Sequence, residues 1–227
     1  MVANPIPSRR AASDWSPNQL AKREAIVKAT ARLMAREGVR ACTSRAISSM
    51  SAMSTSALHY YFRDTNEILD LAFRSINQRF FERLDAAAKS ETKPIDALWA
   101  TAAAYLHWGS EWHDQAMPES SRPPHAPMLW FEFQAESLRS GELTTVRELS
   151  AHGFTIFEGL LAAAGVSPAA PSAQVLYSSL LGASIRDSLF HRPVNEVLGE
   201  LSAVLHLPAS TKFCRAPRKA REKRASV

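Results

Sequence analysis

Between Cys42 and Leu69 the chain reads CTSRAISSMSAMSTSALHYYFRDTNEIL, a run whose hydroxyl, guanidinium and imidazole groups are spaced to hold a polyanion. Thr43, Ser44 and Arg45 stand together, and Ser54, Thr55 and Ser56 form a second polar group eleven residues on. Apolar Ile47, Met50, Met53 and Leu58 fall between them at helical or turn spacing, which leaves Thr43, Ser44, Arg45, Thr55, Ser56 and His59 outward. The amino end of a helix offers unsatisfied N–H groups to a phosphate, and a hydroxyl there donates without filling the gap. Thr43 and Ser44 can anchor one phosphate, and Thr55 or Ser56, behind a helix opened by Ser54, another. Arg45 can reach a guanine edge, where a bidentate fork discriminates by roughly 1–3 kcal/mol. Ala57 can meet a thymine methyl, and His59 and Tyr60 can reach base edges or backbone. Against this, Arg45 could be a solvated or internally paired charge, Tyr60 and Tyr61 core-edge aromatics, and Phe62 is read as core.

The elements that would position these groups are two short helices about a tight turn, a helix-turn-helix, whose second helix enters a DNA major groove. A first helix precedes them, capped by Ser16 or Asn18 with Pro17 in its first turn, and runs to about Glu37. Its stripe is Leu20, Ile26, Val27, Thr30, Leu33 and Met34, and Gly38 supplies the glycine stop. Thr43 caps the second helix, which ends near Ser51. The third is short, and Asp64 or Thr65 caps a fourth, with Glu67 placed as in a capping box. Beyond Ser90 the pattern stays helical: Pro94 to Trp112, a loop at 117–127, Met128–Ser140, Leu143–Ala164, Ser172–Phe190 and Val194–Leu205. About nine helices without strand-like alternation indicate an all-α fold. Residues 1–16 read as a disordered arm, 17–64 as the helix-turn-helix unit, 65–208 as a helical body and 209–227 as a basic disordered tail.

Charge divides the chain the same way. Residues 1–63 carry a net +7, residues 64–211 a net −8 and residues 212–227 a net +6. A basic head on an acidic body suits a head that binds a polyanion and a body that does not. The tail can add non-specific phosphate attraction or simply be solvated. No run of eighteen apolar residues and no apolar leader occurs, so a cytoplasmic, nucleoid-associated protein without a membrane span is expected. Cys42 and Cys214 lie outside any paired spacing, so neither zinc nor a disulfide is expected. His107 and His113 are six apart and share no helix face, and no nucleophile elbow or phosphate-cradling glycine loop occurs. An enzyme, a metal and a cofactor are not expected.

Ile26-Val27, Ala29-Thr30, Leu33-Met34 and Gly38, then Thr43-x-Arg45-x-Ile47-Ser48 and Met53-Ser54 with Leu58-His59-Tyr60-Tyr61-Phe62, resemble the TetR family of transcriptional regulators. The likeness spans roughly residues 20–70. The segment LWFEFQAESLRSGELTTVRELSAHGFTIFEGLL resembles the ligand-binding region of BetI-like members. Five positions depart from the family pattern: Ala52 for a turn glycine, Ser48 and Ser49 for the usual small or charged residues of the second helix, His59 for a common Tyr, and Thr65 for a phosphate-touching Lys. Tyr61 matches a family position that often bonds a phosphate. The resemblance implies a homodimer on a palindromic double-stranded operator, with a small-molecule effector in the body. By the same resemblance Trp99, Tyr105, Trp108, Trp112, Trp130, Phe133, Phe157 and Tyr177 would line the effector cavity; plain core packing is the competing reading for each of them. Such walls suit a largely apolar molecule, or a cation stacked on tryptophan and held by Glu132 or Glu136. It also implies a dimer interface from the last two helices, where Ser178, Ser179, Gly182 and Ala183 permit close approach; internal packing of that stripe is the competing reading. A repressor released by its effector is expected; the alternative is a helix-turn-helix activator or constitutive regulator without such a switch.

Overall fold

The computed structural model of the protein describes residues 15–108, 126–190 and 192–215. Its first helix, α1 (Pro17–Glu37), begins where the local chemistry requires: Ser16 Oγ accepts from Gln19 N at 3.4 Å, and Gln19 Oε1 accepts from Ser16 N at 2.9 Å. This reciprocal box satisfies two donors that the helix leaves open. Ile26, Thr30, Leu33 and Met34 are buried as the periodicity predicts, but Leu20, placed on the same stripe, is 42% exposed. It lies in the first turn, ahead of the buried part of the stripe. Gly38 ends the helix, its N–H donating to Met34 O at 2.9 Å, and a 3₁₀ turn (Val39–Ala41) follows.

Thr43 caps α2 (Ser44–Ser51) through Ala46 N, at 3.3 Å, and Ser54 caps α3 (Thr55–Tyr61) through Ala57 N, at 3.1 Å. Between them Ala52 turns the chain in the left-handed conformation, φ 53° and ψ 35°, as expected of the residue standing at the usual glycine. An L side chain pays about 1 kcal/mol there, against a similar but smaller loss from glycine's greater unfolded freedom. Ala52→Gly is therefore expected to raise stability by about 0.5 kcal/mol in urea melts; a clear loss would mean that the turn does not need a left-handed residue.

The fourth helix, α4 (Thr65–Lys89), has Glu67 N donating to Asp64 Oδ1 at 2.9 Å, while Glu67 Oε2 accepts from Arg63 N at 2.8 Å. Then come α5 (Pro94–His107), α6 (Ala126–Ser140), α7 (Thr144–Ala163), α8 (Ala169–Phe190) and α9 (Val194–Val204). The continuation of α5 to Trp112 and most of the loop at 117–127 lie outside the described residues. Helix α8 opens three residues earlier than Ser172, because Pro171 sits in its first turn, where the missing N–H has no helical partner to lose. Among the described residues there are nine α-helices and no strand, the all-α fold expected. None of their helices is long and apolar enough to cross a membrane.

The described chain forms two compact units, one of residues 15–78 and 129–145, the other of 79–108, 126–128 and 146–215. In the first, Ile26, Leu33, Met34, Ile47, Leu58, Phe62, Ile68 and Phe73 make the core. In the second, one cluster joins Phe80 and Leu84, Trp99 and Tyr105, Phe157 and Leu161, Leu176 and Leu180, and Leu198. Residues 209–215, assigned by composition to a disordered tail, are ordered. Ser210 is buried and donates to Asp96 Oδ1, Trp99 Nε1 donates to Pro208 O at 2.7 Å, and Lys212 pairs with Glu91. Basic composition could not reveal these partners, which are more than a hundred residues upstream.

Candidate nucleic-acid interface

The cap bonds of α2 and α3 occupy a lone pair of Thr43 Oγ1 and of Ser54 Oγ, so each hydroxyl proton remains to be donated outward. Ser44 Oγ and Thr65 Oγ1 lie 2.7 Å apart, and Ser48 Oγ and Thr55 Oγ1 lie 3.3 Å apart. Each pair uses one of its two protons internally and keeps one for an outside acceptor. These pairs tie α2 to the starts of α4 and α3, bringing Thr43, Ser44, Thr55 and Thr65 into one hydroxyl-rich neighbourhood. On α3, Thr55, Ser56, His59 and Tyr60 are exposed, Ala57 and Tyr61 are half-buried, and Leu58 and Phe62 face the core. The short helix therefore presents a polar, aromatic-edged face.

Arg45 is exposed and has no ion pair or hydrogen bond among the described residues, so the reading of it as an internally paired charge does not hold. Lys22, Arg32 and Arg40 are likewise exposed and unpaired among the described residues, whereas Arg23 is bound to Glu67 at 2.5 Å and covers the Phe62 ring at 4.7 Å. Basic charge is left for a polyanion while the carboxylate of Glu67 is spent inside the head. Tyr60 is 51% exposed; its hydroxyl accepts from Gln19 Nε2 at 2.7 Å, and Trp15 lies against both Tyr60 and Tyr61, ring centroids 5.8 and 5.7 Å away. Neither Trp15 nor Gln19 was singled out from sequence. The available signal was Gln three residues after Ser16, the capping-box spacing.

The aromatic residues read as one pocket divide between the units. Tyr105, Trp108, Phe157 and Tyr177 come together in the second: Phe80 lies 5.3 Å from both Tyr105 and Trp108, and Tyr177 lies 5.5 Å from Tyr105 and 6.0 Å from Phe157, between ring centroids. Trp99 belongs to the same core but is turned to Pro208. Burial pushes the Tyr105 hydroxyl well above its ordinary pKa, with a further push from Tyr177, and burial carries Tyr177 up to about 12. Both are neutral donors at any ordinary pH. Trp130 and Phe133 instead pack on Phe73 in the first unit, at 5.6 and 3.8 Å, and Trp112 lies outside the described residues. Glu132, offered above as a ligand for a cation, accepts from Val39 N at 2.9 Å, and Glu136 is paired with Arg139. Beside Glu132, Cys42 is buried, and burial with the Glu37 and Glu132 charges raises its thiol to about 12, which keeps it unreactive.

Residues 26–80 match the family described as bacterial regulatory proteins, tetR family. The head is similar to the tetR family over these residues. The match covers α2 and α3 whole and begins within α1, so Trp15 and Gln19 lie before it. No curated protein matches the chain. Among solved structures, it is similar to a TetR transcription regulator from Haloarcula marismortui, with 18% identity, TM-score 0.61, and 82% of this chain and 94% of that one covered. The multidrug binding protein EbrR complexed with proflavin gives 20% identity and a TM-score of 0.56 over 82% and 98% of the two chains. A protein from Saccharomonospora viridis in complex with choline gives 19% identity and a TM-score of 0.59 over 82% and 94%. At these identities the likeness is one of fold.

Proposed function

We propose that this protein is a sequence-specific DNA-binding repressor that works as a homodimer on a palindromic operator and is released by a small molecule bound in its helical body. The observation that carries the reading is the exposed face of α3, flanked by capping hydroxyls and by Arg45, which is unpaired among the described residues. Thr43, Ser44, Thr65, Thr55, Ser56 and Tyr61 would bind phosphates; Arg45, Ala57, His59 and Tyr60 would meet base edges or adjacent backbone.

Dimerisation through α8 and α9 is supported by what those helices leave uncovered. Val175 and Val204 are 52% and 73% exposed, and Ser178 and Gly182 face outward while Leu176 and Leu180 fill the core. Half of the small-residue stripe, Ser178 and Gly182, is thus left open, while Ala183 is buried and Ser179 half-buried within the subunit. A ligand would lie by Tyr105, Trp108, Phe157 and Tyr177, a cluster of rings with two neutral hydroxyls. That lining favours a largely apolar or aromatic molecule. The proflavin and choline held by EbrR and the Saccharomonospora viridis protein lend support to small-molecule binding in this fold. The BetI-like character of the carboxy-terminal region belongs to the same proposal. Release requires the ligand to bind more tightly to a form of the dimer whose heads no longer fit consecutive grooves.

Selection of bound DNA from a random pool tests this directly. The full-length protein is expected to enrich an inverted repeat with half-sites about 34–36 Å apart, or a multiple of that spacing. Failure to enrich any sequence over the starting pool would refute sequence-specific regulation.

A further inference from the structure

Gln19 lies outside the matched family residues and on the helix before the helix-turn-helix, yet its side chain reaches the recognition helix. Its amide has a defined sense. Oε1 accepts from Ser16 N at 2.9 Å, and that N–H can only donate, so the oxygen must be on that side. The Nε2 group is then the atom facing Tyr60, 2.7 Å from its hydroxyl oxygen. An amide N–H likewise can only donate, so Tyr60 accepts, and Tyr60's own proton is directed away from Gln19. Trp15 and Tyr61 hold the ring from the sides, with Tyr60 and Tyr61 centroids 5.0 Å apart, edge to face.

From this geometry we infer that Gln19 is a positioning residue for DNA binding, orienting the Tyr60 hydroxyl as a hydrogen-bond donor toward a backbone phosphate. The phosphate oxygen accepts and never donates, so a tyrosine whose proton is turned inward would present it with a lone pair and repel it. The capping box that starts α1 thereby also sets the polarity of a group on α3. This inference rests on the head binding DNA as proposed above.

Gln19→Glu provides the test, because a glutamate keeps the capping box while reversing the second bond. One carboxylate oxygen still accepts from Ser16 N; the other must accept from Tyr60, which draws the Tyr60 proton inward. In the full-length protein on its selected operator, Gln19→Glu is expected to weaken binding by roughly tenfold, as for a lost hydrogen bond to a charged group. It should do so on all operator variants alike, since phosphates carry no sequence information. The added negative charge also repels DNA, so the same change is made in Tyr60→Phe protein, which has no hydroxyl to orient. There the loss is expected to shrink to about twofold and to fade with salt, as screened repulsion does, while melting temperatures of the variants stay level. An equal loss in both backgrounds would overturn the inference and leave the DNA-binding function intact. A wild-type protein that binds no selected DNA would overturn that function, and the inference with it.

Discussion

Gly38→Ala is expected to cost the head about 3–5 kcal/mol, a third or more of the stability of a typical domain. The backbone there has φ 85° and ψ 170°, a region that residues with a Cβ enter only under strain of about 1–3 kcal/mol. The second contribution comes from Glu132. A Cβ on residue 38 would stand 2.7 Å from Glu132 Oε2, the atom that accepts from Val39 N at 2.9 Å. Pushing that carboxylate away leaves Val39, which is buried, with an unpaired N–H, worth about 1–3 kcal/mol more. Urea unfolding followed by tryptophan fluorescence measures the sum. The two parts separate in a cycle with Glu132→Ala, which alone should cost about 1–3 kcal/mol by orphaning the same N–H. The double variant should cost less than the sum of the singles, because the orphaned Val39 N–H is counted in both and the clash is gone once Glu132 is truncated. If Gly38→Ala lies within 1 kcal/mol of wild type, neither the positive φ nor the Glu132 contact constrains the head.

What was legible in the sequence was what neighbours along the chain decide. Ser16, Thr43 and Ser54 cap the helices they precede, and Ala52 takes the left-handed turn, because these geometries depend on residues within about four positions. The outward hydroxyls of α2 and α3 followed from the same local pattern. Long-range partners were not legible. The reach of Gln19 to Tyr60 spans 41 positions, and that of Glu132 to Val39 spans 93. Nothing local marks Glu132 as a backbone acceptor rather than a carboxylate awaiting a cation. Ring periodicity likewise announced that Trp130, Phe133, Tyr105 and Tyr177 turn toward packed surfaces, but not which ones. Trp130 and Phe133 stack on Phe73 in one unit, and Tyr105 meets Tyr177 in the other. Burial is a periodic property of one helix; partnership depends on how several helices are arranged.

Arg45 and Thr43, two positions apart at the start of α2, should give opposite signatures on DNA, and the contrast decides between base reading and backbone anchoring. Arg45 is exposed and unpaired among the described residues, so its guanidinium is available for a guanine edge. Arg45→Ala should weaken the selected operator by roughly 10–100-fold and bring it closer to a site altered at the contacted base pair. Thr43 carries two duties, since its Oγ1 holds Ala46 N while its proton is offered outward. Thr43→Ala should lower stability by about 1 kcal/mol through the lost cap and weaken every DNA sequence by a similar factor. Thr43→Ser keeps both the cap and the donor and should stay near wild type in both respects. Binding measured by fluorescence anisotropy on matched and single-substituted operators, at one salt concentration, reads the two effects separately. Equal proportional losses for Arg45→Ala on all operators would make this arginine a phosphate anchor. The reading of sequence would then fall to His59 and Ala57 on α3 alone.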